Sequence, residues 1–208
     1  MEPVNLCFLG GLGDGADAWS GVLNQLPPRW RVTALSLSDL CPPELFSLDS
    51  AVNSLEAHLG EASRQTHLVG LSAGAMVALR YGAKHEVASL FLSAPQVQPP
   101  KTLIAIQNAV FRLLPAPIFQ SSGISKRGVM CVAHALAGED LVADAKRIAV
   151  STTIVCGSKD RANLQAARLT HQLISGSQLA FVDGAKHEWH KQLPKQFSYK
   201  LRRHLATV

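Results

Sequence analysis

Short runs of apolar residues alternate along this chain with segments whose apolar residues recur at helical spacing. Runs that are apolar throughout are typical of strands buried on both faces of a parallel sheet. They predict six strands, at residues 4–9, 30–37, 66–71, 87–93, 152–156 and 178–182. Because helical segments separate these runs, we expect an α/β fold, a three-layer sandwich in which helices cover both faces of a mostly parallel six-stranded sheet.

The helices that connect the strands are predicted at residues 17–26, 48–58, 75–81, 163–174 and 194–205. One stretch, between Ala94 and Ala149, contains no strand pattern, and its apolar spacing predicts helices at 102–114 and 128–136. An insertion at the carboxyl edge of a parallel sheet can cover a ligand site. We therefore expect residues 97–147 to form a helical cap on a single domain, 1–208; the alternative is that these helices pack on the sheet as ordinary filler.

A serine stands at the end of the third predicted strand, in the sequence Gly70-Leu71-Ser72-Ala73-Gly74. A strand that passes through G-x-S-x-G into a helix is typical of a nucleophile elbow, a sharp turn that exposes the serine Oγ above the sheet. Glycines flank such a serine because neighbouring backbone comes too close for a Cβ atom. The pattern predicts that Ser72 is a nucleophile; the alternative is a structural serine at a helix cap.

A serine hydroxyl needs a base within hydrogen-bond reach, and a carboxylate holds that base in turn. Two later strands end in residues of these types. Asp160 follows the fifth predicted strand after a Gly-Ser-Lys turn, and His187 follows the sixth after Asp-Gly-Ala-Lys. The spacing therefore predicts Asp160 as the acid and His187 as the base.

Other residues compete for these two roles. Asp160 could merely cap the following helix, and Asp183 and Asp140 are rival acids. Asp183 is too near His187 in sequence to orient it from a separate strand. His190 is the nearby rival base, and the spacing from the last strand favours His187.

The chain resembles the α/β-hydrolase superfamily over nearly its whole length. Its segments HLVGLSAGAMVALRY, TTIVCGSKDRAN and VDGAKHEWHKQLPKQF resemble the nucleophile, acid and histidine segments, and FLGGLGDGADAW resembles the oxyanion loop. The resemblance implies the α/β-hydrolase fold, with Ser72 as nucleophile, His187 as general base and then acid, and Asp160 orienting the histidine. It also implies two backbone N–H donors for the oxyanion, one from Ala73 and one from the loop after the first strand, which we assign to Leu12.

The chain also departs from the pattern of that superfamily. Leu9 precedes the first loop glycine, and Leu71 precedes the serine, where relatives often carry histidine. Neither histidine belongs to the triad. The amino-terminal antiparallel strands common in the fold have no room here, because the oxyanion strand begins near residue 4. A trimmed core of six strands is expected.

Composition and charge narrow the range of partners. Apolar residues make up 47% and charged residues 17% of the chain, which is typical of a globular protein. The net charge of +5 includes a C-terminal basic cluster that we interpret as the solvated face of the last helix. Basic residues do not alternate with aromatic ones, so neither nucleic acid nor a membrane is an expected partner.

Cofactors and metals are not expected either. The four cysteines lie far apart, and the histidines show no metal-ligand spacing. The glycine-rich loop at residues 10–15 lacks the third glycine, and the second strand lacks the terminal acidic residue, of a dinucleotide site. The amino-terminal sequence has no basic flank or long apolar segment, so we expect a cytoplasmic protein.

We therefore expect a serine hydrolase that cleaves a carboxylic ester or related acyl bond of a small molecule through an acyl-enzyme. Thioesters, lactones, amides, carbon–carbon bonds and cofactor-free haloperoxidase chemistry use the same triad and stay open as alternatives. A protein that retains the fold and binds a small molecule without turnover is a further alternative. The sequence leaves the oligomeric state open.

Overall fold

A six-stranded sheet forms the centre of the molecule in the computed structural model, which describes residues 4–99 and 125–208. The strands are Asn5–Leu9 (β1), Arg31–Leu35 (β2), Thr66–Leu71 (β3), Ser89–Ser93 (β4), Thr152–Gly157 (β5) and Gln178–Val182 (β6). They lie in the order β2-β1-β3-β4-β5-β6, and every neighbouring pair is parallel. The predicted fold class is confirmed, with a sheet that is parallel throughout.

Helices cover both faces of this sheet. The α-helices of the described ranges are Ser20–Leu23 (α1), Leu37–Leu40 (α2), Leu48–Leu59 (α3), Ala73–Lys84 (α4), Lys126–Leu136 (α5), Val142–Arg147 (α6), Leu164–Leu173 (α7), Trp189–Gln192 (α8) and Pro194–Leu205 (α9). Short 3-10 turns lie at Ala16–Trp19, Pro43–Leu45 and Gly60–Gln65. The helix predicted at 102–114 lies outside the described residues.

The strands separate two hydrophobic clusters, one on each face of the sheet. Along β1, Cys7 and Leu9 belong to the first cluster, whereas Leu6 and Phe8 belong to the second. This alternation follows from the opposite directions of successive side chains in a strand. Helices α2 to α7 close the first cluster, and α1, α8 and α9 close the second. The sheet is therefore buried on both sides, as its continuous apolar runs predict.

The second strand is shorter than predicted. It ends at Leu35, and the next residue, Ser36, caps α2 instead of continuing the strand. The Ser36 hydroxyl accepts a hydrogen bond from the Asp39 N–H at 3.2 Å, and the Ser36 N–H donates to the Asp39 carboxylate at 2.8 Å. This reciprocal pair satisfies two otherwise unpaired backbone groups at the helix start. The capping box outweighs the apolar pattern of residues 30–37.

The parallel register places the residues that follow the strands at one edge of the sheet. Leu71 pairs with Ser93, and Gly157 pairs with Val182, so the carboxyl ends of β3 to β6 lie side by side. The residues that follow each strand therefore meet at this edge, where ligands bind in parallel α/β sheets. In the part of the chain that the structure describes, no helix has the length and apolar character needed to cross a membrane.

A buried polar chain lies near the opposite edge of the sheet. Ser89 Oγ is 2.7 Å from Nδ1 of His67 and 2.8 Å from Nε2 of His204, and Thr153 Oγ1 is 2.9 Å from Nδ1 of His204. The side chain of Ser89 is fully buried, and His204 is 4% exposed. Burial, and then the neighbouring His67, lower the pKa of His204 to about 4. His204 is therefore a neutral hydrogen-bonding residue at neutral pH.

Acid should destabilise the protein through His204. An unfolded histidine takes up a proton near pH 6.5, whereas the folded one does so only near pH 4. Because the unfolded state binds more protons between these values, the free energy of unfolding should fall as pH drops from about 6.5 to 4. The contribution of His204 to this loss is on the order of 3 kcal/mol.

Urea denaturation of wild type and His204→Gln between pH 8 and pH 4 measures this effect. Glutamine can hydrogen-bond but does not titrate, so the variant should lose less stability over this interval than wild type does. His134→Gln, a change at an exposed histidine of α5, is the matched control and should keep the wild-type slope. Equal slopes for H204Q and wild type would contradict the assignment.

Candidate active site

Ser72 occupies a strained turn between β3 and α4. Its backbone angles are φ 53° and ψ −113°, in a region that residues with a Cβ atom rarely adopt. Its N–H donates to the carbonyl oxygen of Ser93 at 2.8 Å, and its carbonyl oxygen accepts from the N–H of Met76 at 3.1 Å. The Ser72 side chain makes no capping hydrogen bond to α4. The turn thus has the shape of a nucleophile elbow, and the helix does not use the hydroxyl.

Two glycines make this turn possible. A Cβ on Gly70 would lie 2.6 Å from Cα of Ala75, closer than real Cβ contacts come. A Cβ on Gly74 would overlap the carbonyl of Leu9 and lie 2.5 Å from the carbonyl oxygen of Gly10. The first turn of α4 therefore packs directly on the loop that follows β1. The G-x-S-x-G spacing is a requirement of backbone packing.

Asp160 and His187 are in contact, as the sequence predicts. His187 Nδ1 lies 2.7 Å from Asp160 Oδ2. The side chain of Asp160 is 6% exposed and that of His187 is 37% exposed. Since a carboxylate that carries no proton only accepts hydrogen bonds, His187 Nδ1 carries a hydrogen atom and donates a hydrogen bond to Asp160. Neutral His187 then has its lone pair on Nε2, the nitrogen required of a general base.

Asn163 holds the Asp160 carboxylate from the other side. Its Nδ2 donates to Asp160 Oδ1 at 2.8 Å and to Oδ2 at 3.0 Å, and its own Oδ1 accepts from Gln96 Nε2 at 2.5 Å. Asn163 Nδ2 also lies 3.1 Å from His187 Nδ1. Both of these nitrogens are donors, so this last approach is a close contact without a hydrogen bond. Asn163 is 6% exposed and fixes the orientation of the Asp160 carboxylate.

The rival acids do not contact His187. Asp183 accepts a hydrogen bond from the hydroxyl of Ser158 at 3.3 Å in an exposed position. Asp140 accepts from Gln98 and from the N–H of Val142, and these contacts lower its pKa. The Asp160 side chain does not cap α7, because Asn163 occupies the N-cap position without a side-chain capping bond.

The rival base is packed in the second hydrophobic cluster. His190 is 1% exposed, and its ring centroid lies 4.5 Å from that of Trp19. Neither of its ring nitrogens has a hydrogen-bond partner among the described residues. Burial lowers the pKa of His190 to about 4, so the ring is neutral. Among the described residues, His190 therefore makes no hydrogen bond to a carboxylate, as the base of a triad would.

Ser93 joins the elbow to the segment that carries His187. Its carbonyl oxygen accepts the Ser72 N–H, and its hydroxyl accepts from Trp189 Nε1 at 2.8 Å. Both Ser93 and Trp189 are fully buried. Within residues 4–99 and 125–208, Ser72 Oγ and His187 form no hydrogen bond. The third contact of the predicted triad is thus not made in this structure, and such contacts are often long until substrate binds.

The loop after β1 supplies backbone donors beside the elbow. The N–H of Gly10 donates to the carbonyl of Leu35 at 3.0 Å, and that of Gly11 donates to the carboxylate of Asp14 at 3.0 Å. No acceptor for the N–H of Leu12, or for that of Ala73 at the start of α4, occurs among the residues described. The helix dipole of α4 favours negative charge at Ala73. These two N–H groups are those that the sequence predicts for an oxyanion.

Helix α5 lies over this loop. Gly13 has φ of +84°, and a Cβ there would lie 4.0 Å from Cγ2 of Val129. Val132 and Leu136 of the same helix belong to the first hydrophobic cluster, against which Leu12 packs. The predicted insertion thus places one helix against the loop at the carboxyl edge of the sheet. Whether the insertion as a whole acts as a cap stays a prediction.

Cys156 lies beside the carboxylate of Asp160, with its Sγ 3.9 Å from Oδ2. Cys156 is fully buried, and burial, followed by the charge of Asp160, raises the pKa of its thiol to about 12. It is therefore a neutral packing residue. Over the described ranges, no group of three or more histidine, cysteine, aspartate or glutamate side chains is placed to hold a metal ion.

Comparisons with known proteins agree with this architecture. A family model described as the alpha/beta hydrolase family matches residues 8–198. A search of curated protein sequences finds no match to the chain.

Solved structures of similar fold come from several bacteria. A hydrolase from Pseudomonas aeruginosa is 18% identical, with a TM-score of 0.80 over 97% of this chain and 89% of that one. An esterase from Exiguobacterium antarcticum is 17% identical, with a TM-score of 0.79 over 99% and 93%. An enol-lactonase from Burkholderia xenovorans is 15% identical, with a TM-score of 0.79 over 99% and 92%. At these identities the likeness shows the fold alone.

The close packing at Gly74 predicts how a side chain at this position changes the free energy of unfolding. Alanine normally favours a helix over glycine by about 1 kcal/mol. Here Gly74→Ala should instead lower the free energy of unfolding by at least about 2 kcal/mol, because the new Cβ would overlap backbone carbonyls. Urea denaturation measures the change. Gly138→Ala, where a Cβ would meet nothing within 4 Å, is the control and should stay within about 0.5 kcal/mol of wild type.

Equal stabilities of G74A and G138A would show that α4 can move away from the loop after β1. In that case the backbone approach would not define the elbow.

Proposed function

The chain belongs to the alpha/beta hydrolase family, and we propose that it is a serine hydrolase of a carboxylic ester or related acyl bond of a small molecule. The observation that carries the proposal is the hydrogen-bonded Asp160–His187 pair, at the same sheet edge as the strained turn of Ser72. In the proposed triad, Ser72 is the nucleophile, His187 the base and Asp160 the residue that orients it. Leu12 and Ala73 supply the oxyanion donors.

The first half of the reaction forms the acyl-enzyme. Ser72 Oγ attacks the substrate carbonyl carbon while His187 Nε2 takes the hydroxyl proton. The carbonyl oxygen becomes an oxyanion, which the N–H groups of Leu12 and Ala73 stabilise. When the tetrahedral intermediate collapses, the bond to the leaving oxygen breaks, and protonated His187 gives its proton to that oxygen. The alcohol leaves, and the acyl group stays on Ser72.

The second half regenerates the enzyme. Water loses a proton to His187 Nε2 and attacks the acyl carbonyl, and the same two N–H groups hold the second oxyanion. His187 then returns the proton to Ser72 Oγ as the acid product leaves. Asp160 remains ionised throughout and stabilises the imidazolium that forms twice in each cycle. This sequence consumes water and needs no bound cofactor.

Burial of the acid supports this assignment. A carboxylate that is 6% exposed and held by three donated hydrogen bonds has little freedom to rotate away from His187. Charge interactions are stronger in such an environment than in water, so Asp160 is well placed to stabilise a positive imidazolium.

Labelling of Ser72 tests the proposal directly. A fluorophosphonate probe should label the wild-type protein, because it reacts with a serine hydroxyl that a base has activated. Ser72→Ala should abolish labelling and ester hydrolysis. The matched control is Ser151→Ala, a change at an exposed serine, which should react like wild type. A wild-type protein that resists labelling would overturn the proposal and favour a non-catalytic binding protein.

A panel of p-nitrophenyl esters and thioesters of rising acyl length then distinguishes the substrates that one triad can serve. A burst of p-nitrophenol before steady turnover indicates an acyl-enzyme. Labelling of Ser72 without hydrolysis of any ester in the panel would instead direct attention to thioesters, lactones or carbon–carbon bonds.

Asn163 provides a second test, through the acid. Asn163→Ala removes both hydrogen bonds that Nδ2 donates to Asp160, so the carboxylate should hold His187 less firmly. We expect kcat to fall about 10-fold with KM changed less than twofold, because the orientation of the base matters most in the transition state. Gln165→Ala, at an exposed position of α7, is the matched control and should leave kcat unchanged. An unchanged kcat in N163A would show that Asn163 has no positioning role.

A further inference from the structure

We propose that Asp14 and Lys191 form a positioning pair that fixes the oxyanion loop, residues 10–14, to the segment that bears the catalytic base. This inference rests on the proposed serine hydrolase function and assigns a role to two residues outside the triad. Lys191 Nζ lies 2.6 Å from Asp14 Oδ1. The two residues come from opposite ends of the chain, so neither local sequence nor secondary structure accounts for their contact.

Asp14 determines the shape of the oxyanion loop. Its Oδ2 accepts the N–H of Gly11 at 3.0 Å, while its own N–H donates to the carbonyl of Gly11 at 3.1 Å. The loop is packed tightly around this side chain. A Cβ on Gly10 would lie 3.1 Å from Asp14 Cβ, and a Cβ on Gly11 would lie 3.1 Å from Asp14 Oδ2. A displacement of Asp14 therefore displaces the loop.

The same contacts decide which N–H groups remain for an oxyanion. Leu35 accepts from Gly10 and Asp14 accepts from Gly11, so Leu12 carries the first N–H of the loop without an acceptor in the described part of the chain. The position of the Leu12 N–H follows from the Gly11–Asp14 contact. Catalysis requires such a donor within a few tenths of an ångström of its place, because it acts on charge that develops only in the transition state.

Lys191 belongs to the same short segment as the base. It lies in α8, four residues after His187, and its ammonium also donates to Glu188 at 2.5 Å. Trp189 anchors this segment through its hydrogen bond to Ser93 and its packing against Phe197. The ion pair therefore connects the oxyanion loop to a segment that is itself tied to the elbow.

The pair is asymmetric in its exposure. The Asp14 side chain is 6% exposed, and that of Lys191 is 42% exposed. Burial alone lowers the pKa of the Lys191 ammonium, but the hydrogen bonds to Asp14 and Glu188 outweigh it and raise the pKa above its usual value. Among the residues that the structure describes, the buried carboxylate thus has one cation and one N–H as hydrogen-bond partners. Removal of the cation leaves a buried charge poorly compensated, and the loop must rearrange to rehydrate it.

A substitution series tests the pair with a p-nitrophenyl ester as substrate. Lys191→Met keeps the length of the side chain but removes its charge. Asp14→Asn retains an acceptor for Gly11 but loses the attraction to Lys191. Lys191→Arg restores the cation, and Lys195→Met, at an exposed position of α9, is the matched control. Rates are normalised to the active sites counted by fluorophosphonate labelling, so partial unfolding does not lower kcat.

We expect kcat per active site to fall about 10-fold in K191M and in D14N, with KM changed less than twofold. This fall in kcat is smaller than the one that the loss of a whole oxyanion donor causes, because the donor is displaced and not removed. The double variant should be no slower than either single variant, because both remove one contact. K191R should recover to within about twofold of wild type, and K195M should match wild type.

The outcomes separate this inference from the proposed function. Labelled K191M with wild-type kcat would overturn the positioning role and leave the serine hydrolase intact. A double variant whose loss is the product of the two single losses would also overturn it, because the residues would then act independently. A wild-type protein that is not labelled would overturn the proposed function, and this inference with it.

Discussion

Helix α4 packs backbone against backbone on the loop after β1, and the rest of the site depends on that approach. It requires glycine at position 74, where a Cβ would overlap the carbonyl of Leu9, and glycine at position 70 lets the first turn of α4 pass close to β3. Ser72, between these two glycines, has a positive φ. Strain in one residue persists because the surrounding packing leaves it no alternative. The positions of the proposed nucleophile and of the proposed oxyanion donor Ala73 thus depend on the same close packing of α4.

The segment from His187 to Lys191 connects the remaining parts. His187 contacts Asp160 in the loop after β5, Trp189 contacts Ser93 at the end of β4, and Lys191 contacts Asp14 of the oxyanion loop. A fourth contact lies at its base, where a Cβ on Gly157 would overlap the carbonyl of Ala185 and lie 2.6 Å from that of Lys186. Each loop comes from a different strand, so this segment sets their mutual positions. The site therefore behaves as one unit, and its residues should not contribute additively.

Much of this arrangement could be predicted from the sequence, because it rests on local patterns. Apolar runs located the strands, and parallel strands bring their ends together, so Asp160 and His187 met at one edge. Asn163, Gln96 and Lys191 were missed, since their roles come from contacts between loops far apart in sequence. Of these three residues, only Asn163 lies close in sequence to a predicted site residue, three positions after Asp160. The predicted end of β2 was wrong, because the capping box of Ser36 starts a helix where the apolar pattern predicted a continued strand.

The second hydrophobic cluster has a consequence for the synthesis of the protein. Phe8 and Trp19 are made long before Trp189 and Phe197, which pack in the same cluster. A nascent chain therefore exposes an aromatic face of its sheet until the segment that carries Trp189 and Phe197 has been made. Contacts between distant parts of a chain form slowly, and exposed apolar surface promotes aggregation. This face of the sheet is thus the surface on which an incomplete chain is most prone to aggregate.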